Sequence, residues 1–92
     1  MRPIHQLTNQ EISRRLREDA SRLAREGSNL YRVRAFRQAA MAVLALPDEA
    51  ASLVAARGPE VLEEFPGIGK SLAETISEYL AAAGDEAGIV AA

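Results

Sequence analysis

Apolar residues recur along this chain at helical spacings. Ile12, Leu16, Ala20 and Leu23 follow one another at intervals of four, four and three, which puts them on one face of an amphipathic helix. Thr8 and Glu11 have the spacing of a capping box: the threonine hydroxyl accepts from the amide three residues on, and the glutamate reaches back. Leu7 and Ile12 flank that cap as a hydrophobic staple. Gly27 marks the end of this first helix, because glycine enters left-handed backbone at little cost.

Ser28 and Asn29 supply a turn and a cap, and a second helix is expected over 31–46. Phe36, Ala39, Ala40 and Val43 form its buried face, with Leu46 near its end; Arg34, Gln38 and Met41 lie on another face. Pro47-Asp48 breaks it and starts a third, alanine-rich helix over 49–57, with Leu53 and Val54 inward. Gly58 stops that helix, and Pro59 suits the first position of a short fourth one over 60–64. A fifth is expected over 70–83, where Leu72, Ile76 and Leu80 repeat every four residues and Gly84 supplies the stop. No stretch alternates with a period of two between turn residues, so no strand is predicted. The expected fold class is all-α: a compact bundle of four to five short helices in one domain, residues 1–84, followed by a disordered tail, 85–92.

Ninety-two residues make one domain with a modest core. The chain has no cysteine, which excludes disulfides and thiolate metal sites and fits a reducing compartment. Its apolar runs are too short for a membrane span, and residues 1–10 lack a signal-peptide core. The expectation is a soluble, cytoplasmic monomer.

The net charge of −2 speaks against a polyanionic partner, but its distribution does not. Between Arg14 and Arg37 stand eight arginines against three acids; from Gln38 onward, Arg57 and Lys70 stand against nine acids. One basic half can meet a polyanion.

The segment Phe65-Pro66-Gly67-Ile68-Gly69-Lys70 lies between two helical patterns and opens directly into the second. Its glycines permit backbone angles closed to other residues and let another molecule approach the main chain. The first amides of the following helix have no intrahelical acceptor and stand at the positive end of the helix dipole, an arrangement suited to a phosphate oxygen. Gly67, Ile68, Gly69, Lys70 and Ser71 are therefore candidate phosphate contacts, with Ile68 packed inward to pin the loop. Arg32, Arg34 and Arg37 add charge from the second helix; their offsets bring Arg34 near Arg37 and carry Arg32 further round.

Two blocks, Asn29-Leu30-Tyr31-Arg32-Val33-Arg34-Ala35-Phe36-Arg37-Gln38-Ala39-Ala40 and Phe65-Pro66-Gly67-Ile68-Gly69-Lys70-Ser71-Leu72-Ala73-Glu74-Thr75-Ile76, resemble the N-terminal domain of family X DNA polymerases. The likeness covers residues 8–84 and has no room for the polymerase domains. It implies a helix-hairpin-helix module that holds DNA gaps or ends in repair, with a bacterial, nucleoid-associated setting. It also implies that main-chain carbonyls of Glu63, Phe65 and Ile68 hold a sodium or potassium ion bridging to a DNA phosphate, with no other cofactor.

In lyase-active relatives a lysine two residues after the alanine matched by Ala73 forms a Schiff base with an abasic sugar. This chain has Thr75 there, and threonine cannot form an imine. A second family lysine, for the 5′-phosphate, matches Ser71; a third matches Arg32. The one lysine of the chain, Lys70, lies about 140° round the helix from Thr75 and does not replace the amine. His5 near the start is not read as a metal ligand, Glu63-Glu64 is read as a surface pair, and Ser71 and Thr75 lack a histidine partner. No catalytic residue is therefore assigned. Sequence-independent DNA binding stands first. The alternative is a protein-interaction module on a degenerate DNA-binding fold, with a repair partner, favoured by Glu60, Glu63 and Glu64 beside the hairpin. A 5′-deoxyribose-phosphate lyase stands last.

Overall fold

The computed structural model describes residues 6–91, with side chains over 6–84. It is all-α: α1 (Asn9–Arg25), α2 (Leu30–Leu44), α3 (Ala50–Arg57), a 3-10 helix (Pro59–Glu64) and α4 (Lys70–Ala91), with no strand among the described residues. No helix among them is long and apolar enough to cross a membrane. His5 lies outside the described residues, as do the side chains of the expected tail, 85–92.

The local signals at the two ends of α1 act as expected. The Glu11 amide donates to Thr8 Oγ1 at 3.1 Å, and the Thr8 amide donates to Glu11 Oε1 at 2.8 Å. Leu7 and Ile12 are both buried, completing the staple. At the other end Gly27 takes φ +80°; its amide donates to the Ala24 carbonyl at 3.2 Å and that of Ser28 to Leu23 at 3.0 Å. This is the paired closure of a Schellman motif.

Asn29 caps α2 by accepting from the Arg32 amide at 2.8 Å. α2 ends at Leu44, not at Leu46, because the amides of Ala45 and Leu46 turn back to carbonyls three residues earlier, closing the last turn tightly before Pro47. The fourth element is a 3-10 helix and not an α-helix. It enters from Gly58 at φ +92° and leaves at an extended Phe65, held out of the helical region by Pro66, so only six residues remain to close i→i+3 bonds. α4 runs through Gly84, the expected stop, to Ala91. A glycine inside a helix costs about 1 kcal/mol relative to alanine, and no proline follows to enforce a break.

The core gathers Ile12 and Leu16 of α1, Val33, Phe36 and Val43 of α2, Leu62 of the 3-10 helix and Ile76 of α4. Ser13 is the buried polar residue among them; its Oγ accepts from Arg17 at 2.8 Å. On the surface, α4 is tied to α1 where the Tyr79 hydroxyl donates to the Asp19 carboxylate. The Arg15 guanidinium lies 5.9 Å from the centre of the Tyr79 ring, and Arg22 contacts Asp19 at 3.1 Å. The Asp19 carboxylate, by hydrogen bond and by charge, holds the exposed Arg22 guanidinium above its ordinary pKa.

Candidate functional site

The segment between the 3-10 helix and α4 is a tight turn closed by the Ile68 amide donating to the Phe65 carbonyl at 3.3 Å. Pro66 and Gly67 occupy its centre, and Gly67 takes φ +92°, a value that L side chains rarely adopt. Ile68 is buried, so the turn is anchored from below.

The two glycines have different reasons to be glycine. A β-carbon on Gly67 would lie 3.0 Å from the Ala42 β-carbon and 3.6 Å from the Gln38 carbonyl oxygen. The turn therefore sits directly on α2, and even a methyl between them would fit only if one of the two gave by a few tenths of an ångström. Gly69 has no left-handed backbone, and a β-carbon there would meet nothing within 4 Å. Gly67 thus needs the backbone freedom of glycine, and Gly69 does not. Within the fold, an alanine would fit at position 69.

α4 begins at Lys70, and its first backbone bond to a residue before it runs from the Ala73 amide to the Gly69 carbonyl at 2.9 Å. Among the described residues, nothing accepts from the amides of Gly69, Lys70, Ser71 or Leu72. Lys70 and Ser71 are exposed beside them. These groups line an open groove whose other wall is α2, through Tyr31, Ala35 and Gln38. The same three residues continue into a second cleft with Arg34, Arg37 and Met41. The structure thus brings Gly67, Gly69, Lys70 and Ser71 onto one surface with Arg34 and Arg37.

Arg32 lies elsewhere, 5.4 Å from the centre of the Phe36 ring. Thr75 also stands apart: its hydroxyl donates to the Ser71 carbonyl at 3.1 Å. Of the three glutamates beside the hairpin, Glu64 is paired with Arg57 at 2.7 Å, while Glu60 and Glu63 have no ion pair among the described residues. One of the three glutamates is thus offset by a cation, and two are not.

Sequence reasoning missed Tyr31 and Gln38 as parts of this surface and Ala42 as the seat of Gly67. The signal was present: Tyr31 and Gln38 are seven apart and Ala42 four further on, so the three share one face of α2. What it lacked was any mark of where the turn docks.

No curated protein and no solved structure matches the chain. A family model described as a helix-hairpin-helix domain matches residues 7–83, nearly the whole bundle. The chain belongs to this helix-hairpin-helix family, which is associated with nucleic-acid binding.

Proposed function

We propose that this domain binds DNA by its phosphate backbone, without reading sequence, at gaps or ends in repair. The observation that carries the reading is Gly69. Neither its backbone angle nor its neighbours require glycine, and its own amide is the first of four without a partner in the fold. An approaching phosphate gives both features a purpose: the absent side chain admits it, and the amides donate to it. Lys70 adds a point charge, Ser71 a hydroxyl, and Arg34 and Arg37 guanidinium forks from the adjoining wall. Phosphate contacts fix position and carry no base information, so binding is sequence-independent.

The carbonyls assigned to a sodium or potassium ion suit a hard cation. Those of Glu63 and Ile68 accept no hydrogen bond among the described residues, and Pro66, three residues beyond Glu63, has no amide to offer it. Phe65 accepts one bond and keeps a second lone pair. Such an ion would supply positive charge between the turn and a phosphate.

The reading is of binding without catalysis. The position that would need an amine holds Thr75. Incubation with a 5′-abasic end and borohydride is expected to give no trapped adduct; an adduct lost on Lys70→Ala would overturn this part. For binding, fluorescence anisotropy on duplex, single-stranded, nicked and 5′-phosphorylated gapped DNA is measured across a salt series. Three or four phosphate contacts give a log–log salt slope of roughly −3. No binding at low salt, or binding indifferent to Gly69→Ala combined with Lys70→Ala, would refute the proposal.

A further inference from the structure

α2 has two apolar faces, and the core uses one. Val33, Phe36, Ala39, Ala40 and Val43 point inward. Yet the exposed large apolar side chains among the described residues, Leu30 (62% exposed), Tyr31 (84%), Met41 (73%) and Leu44 (51%), all belong to this same helix. A helix packed on one side has no fold-internal use for apolar side chains on a second face, and Met41 and Leu44, three residues apart, leave exposed apolar surface at one end with Leu30 at the other.

The row has an order. Leu30, Arg34, Arg37, Met41 and Leu44 follow at intervals of four, three, four and three, the spacing of a coiled-coil seam. At about 100° per residue the five fall within an arc of about 80°. All five are exposed. The seam is apolar at both ends and cationic in the middle, and α2 contains no Asp or Glu to neutralise it.

We propose that this seam docks an acidic amphipathic helix of a protein partner: leucine-like side chains against Leu30, Met41 and Leu44, and carboxylates against Arg34 and Arg37. Charge complementarity selects this occupant. A second copy of α2 fits badly, because full overlap sets arginine against arginine in the middle in either orientation. DNA satisfies the arginines but leaves the apolar ends in water. The inference goes beyond the DNA reading and stands without it, since neither the turn nor its amides take part. Where both hold, the helix and DNA compete for Arg34 and Arg37.

The test uses the full chain and a designed, labelled helical peptide of about 15 residues, the length of α2. The peptide has leucines at the outer seam positions and glutamates at the two central ones; a twin has lysines in their place. Anisotropy is expected to show the glutamate peptide binding at least about tenfold more tightly than the lysine twin, with Arg34→Glu plus Arg37→Glu reversing the order. Met41→Ser plus Leu44→Ser is expected to weaken the glutamate peptide about tenfold at unchanged helix content by circular dichroism. Amide shifts should follow residues 30–44 and spare 67–71. Equal binding of both peptides overturns the proposal. So does peptide binding that survives Met41→Ser plus Leu44→Ser, which would make the face a plain polyanion site. A wild-type dimer in sedimentation equilibrium that the same double variant dissolves would assign the face to a second copy instead.

Discussion

Asn9 and Glu49 cap each other's helices. The Asn9 side-chain oxygen accepts from the Ala50 amide at the start of α3, at 2.7 Å, and Glu49 Oε1 accepts from the Asn9 amide at the start of α1, at 3.0 Å. The Asn9 side-chain nitrogen adds a bond to the Asp48 carbonyl at 2.9 Å. Two helix starts 40 residues apart thus satisfy each other's orphan donors. Asn9→Ala removes one cap and one tether, and is expected to destabilise the fold by about 1–2 kcal/mol. Thermal melts followed by circular dichroism check this; an unchanged midpoint would count against the reciprocal cap.

The contrast between the two hairpin glycines gives a second prediction. Gly67→Ala meets both the positive φ and the Ala42 β-carbon, and is expected to cost about 1–3 kcal/mol of stability. Gly69→Ala is expected to change stability by no more than about 0.5 kcal/mol while lowering DNA affinity severalfold. Melting and anisotropy on the same two variants separate the effects. A Gly69→Ala protein that binds as well as the wild type would remove the main support for the DNA reading.

Tyr79 supplies a pH prediction. Burial first, and then its hydrogen bond to Asp19, hold the phenol above its ordinary pKa of about 10. The unfolded chain releases this proton near pH 10, whereas the folded chain keeps it to higher pH. The stabilisation is therefore fully present below about pH 10 and is lost as pH rises beyond it. Tm is expected to fall above that point. Tyr79→Phe should lower Tm at neutral pH and make the alkaline fall shallower.

The arginines of α2 are expected to differ in their effect on DNA. Arg34→Ala and Arg37→Ala each remove a charge from the cleft that continues the hairpin groove, so each should reduce the steepness of the salt dependence by about one unit. Arg32→Ala, beside Phe36 and outside both clefts, should leave the slope nearer its wild-type value. Equal effects from all three would mean that the bound strand takes another path.

What the sequence made legible was local. The Thr8–Glu11 box, the Asn29 cap and the Gly27 stop each depend on residues within a few positions, and each was readable. The helices therefore fell close to their observed places. The Asn9–Glu49 exchange was not readable, because nothing in either neighbourhood names a partner 40 residues away. The same limit hid the pairing of Glu64 with Arg57 and made Gly67 and Gly69 look alike. Their difference lies in α2, through Ala42, and appears once the turn has docked. Gly84 misled for another reason: glycine is a stop signal where a left-handed residue closes the helix, and here the chain continues helically through it.

The seating of Gly67 on Ala42, with Ile68 buried beneath, also bears on the kinetics of association. A turn wedged in this way has already lost its conformational freedom before any ligand arrives. The ordering entropy is charged to folding and not to complex formation, so a weak set of contacts yields more affinity than the same groups on a floppy loop. In the proposed DNA complex, encounter would then resemble rigid docking, and changes at the hairpin are expected to be felt chiefly in how long the complex lasts.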